Sequence, residues 1–142
     1  MLIVLFVLLA AHAPNFLSLQ NVATILKGAS LNAIVAIGFT LILILGQLDL
    51  SVGAVVMLCG MLAVGLQPRL GWTGSMSASI AVGCVVGLVN GWLVVKVRIN
   101  SFIVTLGSMT IVTGLMHLYS GGGSKAVEDY RFADWLEKPI LP

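Results

Sequence analysis

The chain has 142 residues, of which 59% are hydrophobic and 8% charged, with a formal net charge of +2 and a mean hydropathy of +1.12. A soluble domain carries about 25% charged residues, so this composition leaves too little polar surface to face water. The few scattered cations also exclude a nucleic-acid partner, which requires a clustered basic face.

The apolar residues come in uninterrupted runs, so lipid is the expected solvent. Barrel strands would alternate apolar and polar positions, and no useful length of this chain does. The expected fold class is therefore all-α: a polytopic helical membrane protein of about five transmembrane helices, one domain over residues 1–142. The first run, Met1 to Ala13, is followed by Pro14-Asn15-Phe16-Leu17-Ser18. Ala11-His12-Ala13 looks like a signal-peptidase site but lacks a preceding basic region. The run is read instead as a first helix whose natural start lies upstream of Met1, with Pro14 ending it. Gln20 to Lys27 is modestly polar and suits the membrane surface. A second apolar run covers about Leu31 to Leu45 and stops at Gly46-Gln47-Leu48-Asp49-Leu50-Ser51; a third covers Val52 to Leu66. Turns are predicted at Gln67-Pro68-Arg69 and at Gly71 to Gly74. The fourth run covers about Ser77 to Val95, closed by Lys96-Val97-Arg98, and the fifth Phe102 to Tyr119. The segment 120–142, with three glycines and most of the acidic residues, reads as an extramembrane loop or tail with a short helix around Asp134 to Glu137.

Ser75, Ser79, Gly83, Gly87 and Gly91 recur every four positions and form one narrow helical stripe. Small residues there let helix backbones approach closely, so the stripe is predicted to pack against another helix. Gly38, Gly46, Gly107, Thr110 and Gly114 are further small contact positions. Asp49 is the only acidic residue before Glu128, and a carboxylate within the hydrocarbon is a functional-site hypothesis by default. Two readings stand: contact with a translocated solute, or the preferred one, in which Asp49 or Ser51 accepts free N–H groups at the start of the third helix. His12, His117, Cys59 and Cys84 lack partners at motif spacing, so no metal site, cofactor or general base is expected. Trp72, Trp92, Trp135, Tyr119 and Tyr130 fall near run ends, as interfacial anchors do. Gly121-Gly122-Gly123 lacks the lysine-serine pair of a phosphate loop. With no nucleophile, base and orienting group to assemble, the chain is not read as an enzyme.

Gly46-Gln47-Leu48-Asp49-Leu50-Ser51-Val52-Gly53 is similar to the G-G-I-D-L-S-V-G signature of the ribose/xylose/arabinose-type permeases of bacterial ABC importers. Within it, Gly46, Asp49, Leu50, Ser51 and Gly53 carry the match. The stretch at Pro14 to Ser18, Asn90-Gly91, Arg98 to Gly107 and the glycines from Gly121 follow in the family's order. Gln47 and Leu48 replace Gly and Ile, adding bulk at the junction. Asn100 replaces a Pro, removing a fixed φ and a kink before the fifth helix.

The resemblance implies half of a roughly ten-helix permease in the bacterial inner membrane. It also implies ATP-driven import of a monosaccharide or similar solute by alternating access. The implied partners are a second permease subunit, identical or paralogous, cytoplasmic ATP-binding subunits, a periplasmic sugar-binding protein and membrane lipid, with ATP hydrolysis left to the ATPase. Because the family's ATPase-docking loop lies in its second half, the chain is expected to be a fragment. An ion-coupled secondary transporter or channel and an inactive truncated permease are the alternatives. The resemblance places the Asp49 junction and the Lys96/Arg98 loop in the cytoplasm, and that loop obeys the positive-inside rule. Lys27, Arg69, Lys125, Arg131 and Lys138 would fall on the outer side, against it.

Overall fold

A computed structural model describes residues 1–127 and 130 of the chain. Every regular element among them is helical: α1 (Leu2–His12), α2 (Leu19–Ile44), α3 (Val52–Gly65), α4 (Gln67–Val95) and α5 (Ser101–Ser120). The protein is a helical membrane protein. Three helices, α2, α4 and α5, are long and apolar enough to cross a bilayer; α1 and α3 are shorter apolar helices. At 1.5 Å per residue the 14 residues of α3 reach only ~21 Å, against a hydrocarbon core of about 30 Å. The short helix expected around Asp134 to Glu137 lies outside the described residues.

The chain divides into two units, Met1–Leu45 and the part from Gly46 onward. In the first unit α1 is followed by a tight turn in which Asn15 takes a positive φ of 67°. Phe6 and Phe16 meet edge to face across it at 5.3 Å. Ser18 caps α2 by accepting the Asn21 N–H at 3.3 Å, and the Asn21 amide donates to the Phe16 carbonyl at 2.6 Å. From that cap α2 runs unbroken for 26 residues. The surface segment expected at Gln20 to Lys27 is thus the first turns of the second helix itself. Nothing between Gln20 and Leu31 stops a helix: the stretch holds no proline, and single Gly28 and Ser30 cost too little.

In the second unit α3, α4 and α5 pack on one another, around Ala54, Leu58 and Val112 with Val55, Leu62, Val82, Val86 and Met116 alongside. Helix α3 runs antiparallel to α4: Ser51 meets Asn90 near one end, and the Cys59 Sγ donates to the Ser79 carbonyl farther along. It runs parallel to α5, because Leu50 meets Thr105 at one end while Gly65 faces Tyr119 at the other. A Cβ on Gly65 would lie 2.5 Å from the Tyr119 hydroxyl, so glycine is what allows that contact.

The turn predicted at Gln67 to Gly74 is narrower than expected. Gln67 to Leu70 form a helical turn with Pro68 in its first positions, and the break is confined to Gly71, at φ 65° and ψ 175°. That region of backbone space is open essentially to glycine alone. Helical geometry resumes at Trp72, five residues earlier than the apolar run suggested. Helix α5 ends at Gly121, in the left-handed region at φ 65°, the usual glycine solution at a helix C-terminus.

The outward faces of α4 and α5 are apolar: Ile80, Leu88, Ile103, Ile111 and Leu118 are all exposed. In water such a surface would aggregate; in lipid or against other helices it is required.

Candidate functional site

The Gly46–Ser51 segment leaves its own backbone groups without helical partners, and α5 supplies acceptors for two of its N–H groups. The Leu48 N–H donates to Ser101 Oγ at 3.3 Å, and the Leu50 N–H donates to Thr105 Oγ1 at 3.1 Å. Thr105 in turn donates to the Ser101 carbonyl at 2.8 Å and is buried. Gly46 enters the segment at φ 69°, a conformation that costs glycine nothing. Leu48, which stands for an isoleucine of equal size, is 45% exposed; the added bulk is that of Gln47, which is half-buried and lies beside Leu48 on the wall of a cleft next to the junction.

Asp49 Oδ1 accepts two hydrogen bonds from Ser51, from its N–H at 2.7 Å and its hydroxyl at 2.6 Å. The carboxylate closes a turn onto the residue at the N-cap of α3. Ser51 itself makes no side-chain cap. Its oxygen faces α4, where it accepts from Asn90 Nδ2 at 3.0 Å. Asn90 Oδ1 then accepts from the Ser108 hydroxyl on α5. The donors therefore run in one direction, Ser108 to Asn90 to Ser51 to Asp49, and such a chain polarises each bond in the same sense. Ser51 is 1% exposed and Asn90 5%, so the middle of this clasp has no access to water.

Its depth follows from the helix register. Thr105 and Ser108 lie four and seven residues inside α5, and Asn90 five residues before the end of α4. At 1.5 Å per residue the clasp sits roughly 6–10 Å inward from the loop joining α4 to α5. Polar groups at that depth have no solvent to turn to, which is why each has a protein partner; no buried side-chain nitrogen or oxygen among the described residues lacks one.

A cavity of about 190 Å³ adjoins the clasp, with Asp49, Ser51 and Asn90 at its polar end and Val55, Val86 and Gly87 among its apolar walls. The first two stripe residues, Ser75 and Ser79, are buried; the Ser79 carbonyl accepts from Cys59 on α3, and a Cβ on Gly83 would come within 3.1 Å of Cys59 Sγ. Gly87 and Gly91 are exposed, with open space where a Cβ would be; Gly53, Gly107 and Gly114 share that property. Lys96 and Arg98 are exposed in the loop between α4 and α5. No group of three or more His, Cys, Asp or Glu able to hold a metal occurs among the described residues.

Asn90, Thr105 and Ser108 are the members of this site that motif reading did not single out for a role. Asn90 and Thr105 lie inside stretches quoted above, and Asn90 is the one amide on an otherwise apolar helical turn. That isolation was the available signal.

The family described as "Branched-chain amino acid transport system / permease component" matches residues 21–139. The chain belongs to this family. Among its relatives, the ribose import permease protein RbsC of Escherichia coli K12 is 36% identical over 124 residues, covering 85% of this chain and 38% of RbsC. The L-arabinose ABC transporter permease protein AraH of Azospirillum brasilense is 38% identical over 136 residues, 93% of this chain and 39% of AraH. The autoinducer 2 import system permease protein LsrC of Yersinia pestis (strain Pestoides F) is 35% identical over 122 residues, 85% of this chain and 35% of LsrC. The chain thus spans less than two fifths of the length of these relatives. No solved structure matches it. The Asp49 segment, Asn90 and the stretch from Arg98 to Gly107, which carry the family resemblance in the sequence, are the parts joined by the clasp.

Proposed function

We propose that this chain forms part of the membrane pathway of an ATP-driven importer for a monosaccharide or a related small polar solute, in the bacterial inner membrane. The observation that carries the reading is the convergence of three separated family stretches on one buried hydrogen-bonded junction. A permease must move helices without exposing backbone to lipid, and a clasp that satisfies the start of α3 from both α4 and α5 lets these three helices move as one body. The permease does no bond chemistry. Hydrolysis belongs to cytoplasmic ATP-binding subunits, delivery to a periplasmic binding protein, and the pathway is completed by a second permease subunit. The relatives import ribose, arabinose and autoinducer 2 by name, which fits a polyhydroxylated solute.

Within this reading Asp49 is a structural acceptor and does not contact the solute. An asparagine at 49 offers the same Oδ1 to both Ser51 donors, whereas leucine offers nothing. The test is ATP-dependent uptake by the complete permease, normalised to the amount inserted in the membrane. Asp49→Asn should retain most of the rate and Asp49→Leu should lose it. Equal loss in both variants at equal insertion would show that the charge itself is used, and would reject the structural role.

A further inference from the structure

The clasp faces inward; at the end of the same three helices there is a second polar concavity that the transport reading leaves unused. It is a cleft of about 570 Å³, with Gln47 and Leu48 on one side and Arg98, Asn100 and Ser101 on the other. Its rim is rich in donors. Asn100 spends its amide oxygen on the Phe102 N–H at 2.9 Å, leaving its NH₂ group free to donate. Ser101 Oγ accepts the Leu48 N–H, leaving its own hydroxyl proton. Arg98 brings a guanidinium, and Lys96 stands two residues before it. Asp49 is the only carboxylate among the described residues and is taken up by Ser51, so neither cation has an acidic partner there. Arg98, Asn100 and Ser101 thus offer unspent donors along one side of a cleft that holds no carboxylate, which fits a ligand made of acceptors, and a planar guanidinium fits a phosphate best of all.

We propose that this cleft binds the phosphodiester headgroup of an anionic phospholipid. Location favours lipid over protein. The loop has only five residues, 96–100, and joins two helices that are each long enough to cross the bilayer. Its cations are therefore confined to headgroup level. Trp92, Val95, Phe102 and Ile103 around it are exposed and apolar, which gives the acyl chains of the same lipid a surface to lie along.

Trp92 provides the readout, since its carbonyl accepts the Lys96 N–H and its ring lies one turn from the loop. The full chain, with Trp72 and Trp135 changed to Phe, is placed in phosphatidylcholine nanodiscs containing graded fractions of brominated phosphatidylglycerol or brominated phosphatidylcholine. Quenching of Trp92 should half-saturate at a several-fold lower fraction of the anionic lipid. Arg98→Gln and Lys96→Gln should each reduce that preference about fivefold at low salt, while Arg98→Lys, which keeps the charge but not the planar fork, should retain only part of it. Equal quenching by the two lipids, or a preference that survives the double Gln variant, overturns the proposal. So does loss of the preference on adding excess inorganic phosphate, which would mark a site for the free ion. Absence of lipid preference combined with weaker capture of the purified ATP-binding subunit by Arg98→Gln would assign the cleft to a protein partner instead.

Discussion

Asn90→Ala tests whether the clasp holds the three helices together. The substitution removes two hydrogen bonds, the one donated to Ser51 Oγ at 3.0 Å and the one accepted from Ser108. At about 0.6–1.5 kcal/mol each the loss is about 1–3 kcal/mol. Relaxation pulls it toward the lower half of that range. Ser108 can turn its hydroxyl to a carbonyl one turn back, as Thr110 and Thr113 already do to Leu106 and Met109. Ser51 keeps its bond to Asp49 and loses only a donor. We therefore expect about 1–2 kcal/mol by reversible unfolding in mixed micelles. Asn90→Asp should behave differently. An ionised carboxyl cannot donate to Ser51 and stands one hydroxyl away from Asp49, so this variant loses the same donated bond and adds a like charge in a site without water. At neutral pH this variant should be less stable than the Ala variant in the same unfolding assay. An Ala variant within about 0.3 kcal/mol of wild type, or a Ser51→Ala/Asn90→Ala cycle without coupling, would refute the clasp.

Three further expectations follow from the helix contacts. Gly83→Ala requires Cys59 to shift by a few tenths of an ångström, because the new Cβ would lie 3.1 Å from its Sγ; the strain should outweigh the gain in helix propensity and lower the unfolding free energy by about 1 kcal/mol, with Cys59→Ala in the same chain reversing the sign. Gly87→Leu meets nothing within 4 Å in this chain; lower folded yield than for Leu88→Ala in the complete permease would show that another helix covers the stripe, and equal yields would show that it faces lipid. Asn100→Ala should cost about 1 kcal/mol by loss of the cap on Phe102, while Asn100→Pro should be close to neutral in the same unfolding assay, since φ at this position is −55° and the lower chain entropy offsets the lost cap.

The last case shows how a departure from the family pattern reads differently in three dimensions. Asn100 was expected to remove a fixed φ and a kink. Its backbone instead takes a proline-compatible φ and its side chain caps α5, so the geometry persists by another means. Membrane residence, the all-helical class and the ends of α3 and α5 were legible from composition and run length, because in lipid the backbone must satisfy itself locally and hydropathy then tracks structure. Proline and glycine marked most of the breaks for the same local reason. The continuity of α2 and the single-residue break at Gly71 were less legible, since weakly polar helix formers resemble loops when only hydropathy is read.

Asp49 could be singled out from the sequence alone as the isolated acid before Glu128, and a role at the start of α3 could be argued from its position. What only the tertiary structure decided is where its partners are. Ser51 lies two residues away, but Asn90, which donates to Ser51, and Ser108, which donates to Asn90, are 39 and 57 positions beyond Ser51 and join the chain of bonds only once α3 has paired antiparallel with α4 and parallel with α5. Hydrogen-bond pairing between helices depends on their register, and that register is set by how Ala54, Leu58 and Val112 pack, a property of three surfaces together that no one segment encodes.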